Sequence, residues 1–135
     1  DLGSSAYNAF GYLASFIGGN NQRRQAIAMT APVVQRQSGS GFEVSFVMPA
    51  GMTEVPNPNS SSLRIESFGR SKFAAVRFSG FARESLFRAK EEKLRELCAK
   101  QGFTVIGEPR FARYNGPWTP GPLRRNEVLL EIASA

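Results

Sequence analysis

Residues 83–102 read RESLFRAKEEKLRELCAKQG, and this stretch predicts the longest helix in the chain. Apolar side chains recur at helical spacing on one face, and Gly102 supplies a C-terminal stop. We therefore expect a helix over about residues 83–100 that buries this face. The face consists of Leu86, Phe87, Leu94, Leu97 and Cys98.

Short alternating segments on both sides of this helix predict β-strands. Before the helix, residues 63–68 and residues 73–79 are expected to form a hairpin. After it, short strands are expected at 103–106 and 110–114, and a strand at 128–132 closes the chain.

The first half of the chain predicts the same kinds of element. Residues 6–17 are expected to form a helix that ends at Gly18-Gly19, with strands over 26–33 and 42–48 after it. Two apolar stripes run along this helix, so one side should face the core and the other a ligand, a partner or a missing part of the domain. The stripes are Ala6, Phe10, Leu13 and Ile17, and Ala9, Tyr12 and Phe16.

The order helix, strand, strand thus occurs twice, at an offset of roughly 80 to 84 residues. A hairpin precedes the second copy, and its counterpart would fall before residue 1. We therefore expect residues 1–135 to form a single α+β domain with a pseudo-two-fold repeat. This domain would be incomplete at its N-terminus, as in a processed or truncated product.

Composition excludes several classes of function. The 135 residues are 41% hydrophobic and 21% charged, which suits one domain with a core. The sequence holds no histidine, which excludes a Ser-His-Asp triad, a Cys-His pair and any zinc site built on imidazole. No other catalytic constellation is visible, so we expect no enzyme. No stretch approaches the ~20 apolar residues of a transmembrane helix.

The net charge of +6 lies entirely in residues 68–135, which hold thirteen basic and seven acidic side chains. A basic surface favours nucleic acid, an anionic membrane or a ligand with carboxylates, and ordinary solubility is the alternative explanation. The acidic residues interleaved with the basic ones, and the lack of a recognition-helix or RNA-binding motif, argue against nucleic acid.

Several segments, in order along nearly the whole chain, resemble the SOUL/haem-binding protein family. The resemblance implies a distorted antiparallel β-barrel or sheet with pseudo-two-fold symmetry, flanked by two helices, with about six of its strands in this chain. It also implies a hairpin upstream of the first helix. The segments are residues 16–21 (FIGGNN), 27–33 (IAMTAPV), 45–49 (SFVMP), 76–80 (VRFSG), 112–120 (ARYNGPWTP) and 124–128 (RRNEV).

The resemblance further implies non-enzymatic binding or carriage of haem or a related tetrapyrrole, in plastid or cytoplasm. A tetrapyrrole needs a flat apolar slot, and cationic groups for its propionates. The first helix is expected to line the slot and the loop from Tyr114 to Trp118 to close it, with Arg113, Arg124 or Arg125 near the propionates. The helix residues expected in the slot are Phe10, Leu13, Ala14 and Ile17.

Because the chain has no histidine for an axial ligand, other side chains have two interpretations each. Cys98 is a thiolate ligand or a buried structural thiol. Met29 and Met48 are thioether ligands or pack in the core, and Tyr114 is a phenolate ligand or anchors its loop. Trp118 is a lid over the slot or packs within its own loop.

Two alternatives concern partners. Arg124 and Arg125 contact propionates, phosphate or an acidic partner, or they form the solvated start of the last strand. The whole chain has a second interpretation, as a structural or interaction subunit of a larger assembly. Such a subunit would keep the SOUL-like fold without strong haem binding, and its other partners would be protein subunits.

Overall fold

In the residues that it describes, the computed structural model contains two α-helices, five β-strands and one turn of 3-10 helix. It describes residues 2–29, 32–38, 41–67, 70–81, 83–115 and 119–133, with side chains from residue 9 onward. In chain order the elements are α1 (Leu2–Ile17), β1 (Val33–Ser38), β2 (Gly41–Phe46), β3 (Lys72–Phe78), α2 (Glu84–Gln101), β4 (Val105–Arg113), the 3-10 turn (Gly121–Leu123) and β5 (Asn126–Ile132).

The strands form one antiparallel sheet in the order β2-β1-β4-β5-β3. The central pair, β1 with β4, places Gln35 opposite Phe111, and β4 with β5 places Phe111 opposite Val128. Within the described part of the chain the sheet is open, with β2 at one edge and β3 at the other. The α+β class expected from the sequence is confirmed.

Both helices pack on the same face of the sheet. Residues directly opposite each other in antiparallel strands point to the same side of the sheet. One such row crosses four strands and consists of Val44, Gln35, Phe111 and Val128. Helix α2 covers one end of this face, where Phe87 stacks on Phe111 with ring centroids 4.8 Å apart. Helix α1 packs on β2 at the other end.

The opposite face of the sheet carries paired charges. Arg36 of β1 and Glu43 of β2 lie 2.8 Å apart, and Arg110 of β4 lies 4.0 Å from Glu131 of β5. These residues alternate with the core residues along their strands, so the sheet has an apolar face toward the helices and a charged face away from them.

Helix α2 forms where the sequence predicts it. Glu84–Gln101 is helical, and Gly102 ends it at φ 78°, a left-handed conformation that glycine adopts without a Cβ penalty. The amides of Gly102 and Phe103 donate to carbonyls in the last turn, which satisfies the helix terminus. Its buried face joins a core of Phe78, Phe87, Leu94, Cys98, Phe111, Val128 and Leu130.

The strand predicted over residues 26–33 is wrong. Residues 26–29 form no strand, because the amide of Ile27 donates to the carbonyl of Ile17 at 2.7 Å and so ties this segment to the end of α1. The strand instead begins at Val33 and continues through Gln35, Arg36 and Gln37, polar residues that hide its alternation. Within the strand Gln35 is fully buried.

The hairpin predicted from 63–68 and 73–79 is also wrong. The described residues 63–67 form no strand, and β3 pairs with β5 instead. The chain therefore supplies five strands in its described part rather than about six. The two short strands predicted at 103–106 and 110–114 are one strand, β4, whose register shifts between Ile106 and Arg110.

Among the described residues, no helix has the length and apolar character needed to span a membrane.

Candidate functional site

A cavity of about 310 Å³ lies between helix α1, strand β2 and the segment 62–66. Its volume is at the lower end of the range for small-molecule sites. Most of its walls are aromatic or aliphatic. The lining residues are Ala9, Tyr12, Leu13, Phe16 and Ile17 from α1; Phe42, Glu43, Val44, Ser45, Phe46 and Met48 from β2 and the residues after it; and Ser62, Leu63, Arg64, Ile65 and Glu66.

Helix α1 supplies one wall because its second apolar stripe faces the cavity. Ala9, Tyr12 and Phe16 lie at spacings of three and four residues, which places them on one side of the helix. Phe16 is buried, whereas Tyr12 is 54% exposed. The stripe thus runs from the core to the cavity mouth.

A polar network fixes the connection that leads to the segment 62–66. The buried Asn21 side chain donates to the carbonyls of Phe16 and Gln25 and accepts from the amides of Arg23 and Gln25, at 2.8 to 3.1 Å. The next residue, Gln22, donates its amide to the carbonyl of Asn57 at 2.8 Å. This network attaches residues 57–59 to the end of α1, just before the chain continues into the third wall of the cavity.

Four charged side chains form a connected network at the rim of the cavity. Glu43 accepts from Arg36 at 2.8 Å and from Arg64 at 2.9 Å, while the Arg64 Nε donates to Glu66. Two hydrogen bonds hold the pKa of Glu43 below its ordinary value. The bond from Arg64 has the largest effect, and the bond from Arg36 the next. The network contains two cations and two anions, so its formal charge is zero.

A profile of the SOUL heme-binding protein matches residues 1–131 of this chain. The chain belongs to the SOUL heme-binding protein family. No curated protein shows significant similarity to it. The family assignment expected from the sequence motifs is thereby confirmed, and the match covers both helices and nearly all of the sheet.

The SOUL chain brings only part of the predicted tetrapyrrole site together. Leu13 and Ile17 line the cavity, as expected of the first helix. Phe10 and Ala14 are not among its lining residues; the Phe10 ring instead contacts Phe46 edge-on, with ring centroids 5.3 Å apart. Phe10 thus supports the wall of the cavity through Phe46.

The predicted propionate-binding arginines lie elsewhere in the SOUL fold. Arg113 hydrogen-bonds to Gln35 and lies 4.9 Å above the Phe87 ring, where burial under α2 lowers its pKa. Arg124 donates to the carbonyl of Thr119 at 2.7 Å. It also stacks on Phe81. None of these residues lines the cavity.

Tyr114, the first residue of the predicted lid, lies near the same arginines. The guanidinium of Arg125 stacks 4.3 Å from the Tyr114 ring, and the Tyr114 amide donates to the Arg125 carbonyl, so Tyr114 anchors its loop to the start of β5. Burial, with a hydrogen bond to Glu127, raises the pKa of Tyr114. Trp118 lies outside the described residues.

The other three predicted iron ligands lie in three different environments. Cys98 lies on the buried face of α2 and joins the core, which confirms its interpretation as a buried structural thiol. Met29 is exposed, so its predicted packing in the core is wrong. Met48 is partly buried and lines the cavity beside Phe46. No group of three or more acidic or thiol side chains in the described ranges is arranged to hold a metal ion.

Sequence reasoning missed the third wall of the cavity. The sequence predicts a hairpin strand over residues 63–68, and no signal in it places Leu63, Arg64 and Ile65 beside α1. A weaker signal existed for β2, whose Phe42, Val44 and Phe46 alternate as one apolar face.

Proposed function

We propose that this SOUL-family chain binds haem or a related tetrapyrrole without catalysing a reaction, in the cavity between α1, β2 and the segment 62–66. One observation carries the proposal: the cavity combines apolar, aromatic walls with a single arginine, Arg64, among its lining residues. Bound haem would be cargo, and the protein's part is to shield the macrocycle and hold its carboxylates.

The walls suit a flat apolar ligand. Phe16, Phe42 and Phe46 offer ring faces and edges, while Leu13 and Leu63 add aliphatic surface. Burial of apolar area contributes about 25 cal/mol per Å², so contacts of this kind supply most of the binding free energy of a macrocycle. The cavity is small for a whole macrocycle, and we propose that the ligand enters edge-first with one edge left in solvent.

Arg64 suits a propionate carboxylate. Its side chain is 65% exposed and lies at the cavity rim, where the planar guanidinium can bind a carboxylate through two hydrogen bonds. In the structure these donors bind Glu43 and Glu66. A propionate must therefore compete with Glu66, the more exposed of the two carboxylates.

The test is a titration of tetrapyrroles against a variant that blocks the cavity. Ile65→Glu places a carboxylate on the wall, at a side chain that is 43% exposed and outside helices and strands, so the fold should persist. We expect at least tenfold weaker binding of ferric haem and of metal-free protoporphyrin, measured by absorbance and by fluorescence.

Leu123→Glu is the matched control. It makes the same kind of change at a residue that is 72% exposed on the 3-10 turn and does not line the cavity. Its binding should equal that of the unchanged protein. Equal binding by both variants would refute the cavity as the site, and no binding by the unchanged protein would refute the function.

A second candidate function is that of an interaction subunit, and a separate observation favours it. In the described residues β2 pairs with β1 alone, and the exposed Phe10 and Tyr12 lie on the neighbouring helix. A sheet edge beside apolar side chains is a surface on which partner chains add strands. Gel filtration of the protein from its native source distinguishes the two, because a monomer would contradict assembly membership.

We also propose that α1-β1-β2 and α2-β4-β5 are two copies of one folding unit, within a domain whose first copy is incomplete. Supporting this, β1 and β4 are neighbours at the centre of the sheet, with β2 and β5 outside them. The counterpart of β3 would be a strand, encoded before residue 1, that pairs with β2. A longer chain that includes the preceding residues should protect the β2 amides from exchange; unchanged protection would contradict the proposal.

A further inference from the structure

The cavity offers few side chains that can bind a metal ion carried by a tetrapyrrole. The sequence has no histidine, and Cys98 is buried in the α2 core. Among the lining residues, the carboxylates of Glu43 and Glu66 are held by arginines. That leaves the phenol of Tyr12 and the thioether of Met48.

Tyr12 is the better placed of these two for a ferric ion. It lies on α1 between Ala9 and Phe16, which both line the cavity, so the helix backbone fixes where its ring stands. Its side chain is about half exposed, and its hydroxyl has no hydrogen-bond partner among the described residues. A ligand that enters the cavity therefore meets a phenol with no hydrogen bond to any residue that the structure describes.

The chemistry of the two donors differs. Phenolate is a hard anionic oxygen ligand, and tyrosine is one of the residues that hold haem iron in proteins. Thioether sulfur is soft and neutral and suits lower oxidation states. A phenolate donor thus favours iron(III) over iron(II), whereas the thioether of Met48 would favour iron(II) over iron(III).

We propose that Tyr12 is the axial ligand of a ferric tetrapyrrole in this cavity and makes binding depend on the oxidation state of the iron. This inference rests on the proposed function. When the ligand binds, the Tyr12 hydroxyl gives its proton to solvent, an O–Fe bond forms and a water molecule leaves the iron. No electron is transferred in this step. An external one-electron reductant that converts iron(III) to iron(II) weakens the bond and favours release.

The experiment compares ferric haem with metal-free protoporphyrin, which offers no metal to the phenol. Tyr12→Phe should weaken ferric haem binding at least tenfold and leave protoporphyrin binding within twofold, because only the O–Fe bond is lost. The unchanged protein should show a phenolate-to-iron(III) charge-transfer band and a high-spin ferric resonance, and Tyr12→Phe should lose both. Reduction with dithionite should weaken haem binding only when Tyr12 is present.

A matched variant completes the experiment. Tyr114→Phe removes the phenol of a tyrosine outside the cavity lining and should keep the charge-transfer band. Loss of the band in Tyr114→Phe, or an unchanged band in Tyr12→Phe, would overturn this inference while leaving tetrapyrrole binding intact. Failure of the unchanged protein to bind either ligand would overturn the proposed function as well.

Discussion

Replacing Glu66 by glutamine should tighten the binding of a tetrapyrrole that carries propionates. Glu66 holds the Nε of Arg64, so a propionate must displace it before it can occupy the guanidinium fork. The paired side chains are 65% and 38% exposed, so solvent screens the pair and its contribution is small. We expect loss of that competition to raise the affinity by about 1.4- to 5-fold.

Fluorescence titration with metal-free protoporphyrin measures this gain without a contribution from iron. Glu92→Gln is the control, because it removes the same formal charge from the exposed side of α2. Protoporphyrin dimethyl ester, which has no free carboxylate, should bind Glu66→Gln and the unchanged protein equally. Adding Arg64→Gln to Glu66→Gln should abolish the gain, since the effect acts through the guanidinium.

Competition between Glu66 and a propionate is refuted if Glu66→Gln binds protoporphyrin no more tightly than Glu92→Gln does. A gain that persists in the absence of the Arg64 guanidinium refutes it equally, because Glu66 would then act only through its own repulsion of the ligand.

Three further predictions concern the fold that carries the site. Phe87→Ala should cost about 3–5 kcal/mol of unfolding free energy in urea, because the ring is fully buried, and the exposed Phe103→Ala should cost far less. The lowered pKa of Glu43 means that its stabilisation is present above its unfolded pKa of about 4.3 and is lost as pH falls through the folded value. Glu43→Gln should flatten the acid limb of a stability–pH curve, and an unaltered limb, or a similar change in Glu92→Gln, would contradict this. Asn21→Ala should cost about 1–3 kcal/mol and speed exchange of the loop amides after it, because four side-chain hydrogen bonds are lost; unchanged exchange would contradict the network.

Local patterns predicted the helices well and one strand poorly. Helix α2 is confirmed to within about a residue at each end, because an apolar face and a terminal glycine are both local signals. Strand β1 was missed because its centre is Gln35-Arg36-Gln37, and the burial of Gln35 depends on β4, far away in the sequence. Polar residues in a central strand leave no alternation to detect.

Some residues of the candidate site could likewise be predicted from local patterns, and others could not. Leu13 and Ile17 could be predicted because the two apolar sides of α1 indicate that something covers each of them. Arg64 and Ile65 could not, because their position depends on how the connection through Asn57 attaches to the end of α1. Arg124 and Arg125, just before the last strand, are predicted at the site. Their guanidinium groups stack on aromatic rings instead, and Arg124 also donates to a backbone carbonyl.

The charged face of the sheet is a poor surface for a hydrocarbon ring system. The ion pairs Arg36–Glu43 and Arg110–Glu131 lie on that face, away from both helices. A flat apolar pigment laid over them would remove these charges from water and offer them no new partner. Loading and unloading should therefore take place on the helix side of the sheet, without separation of the strands.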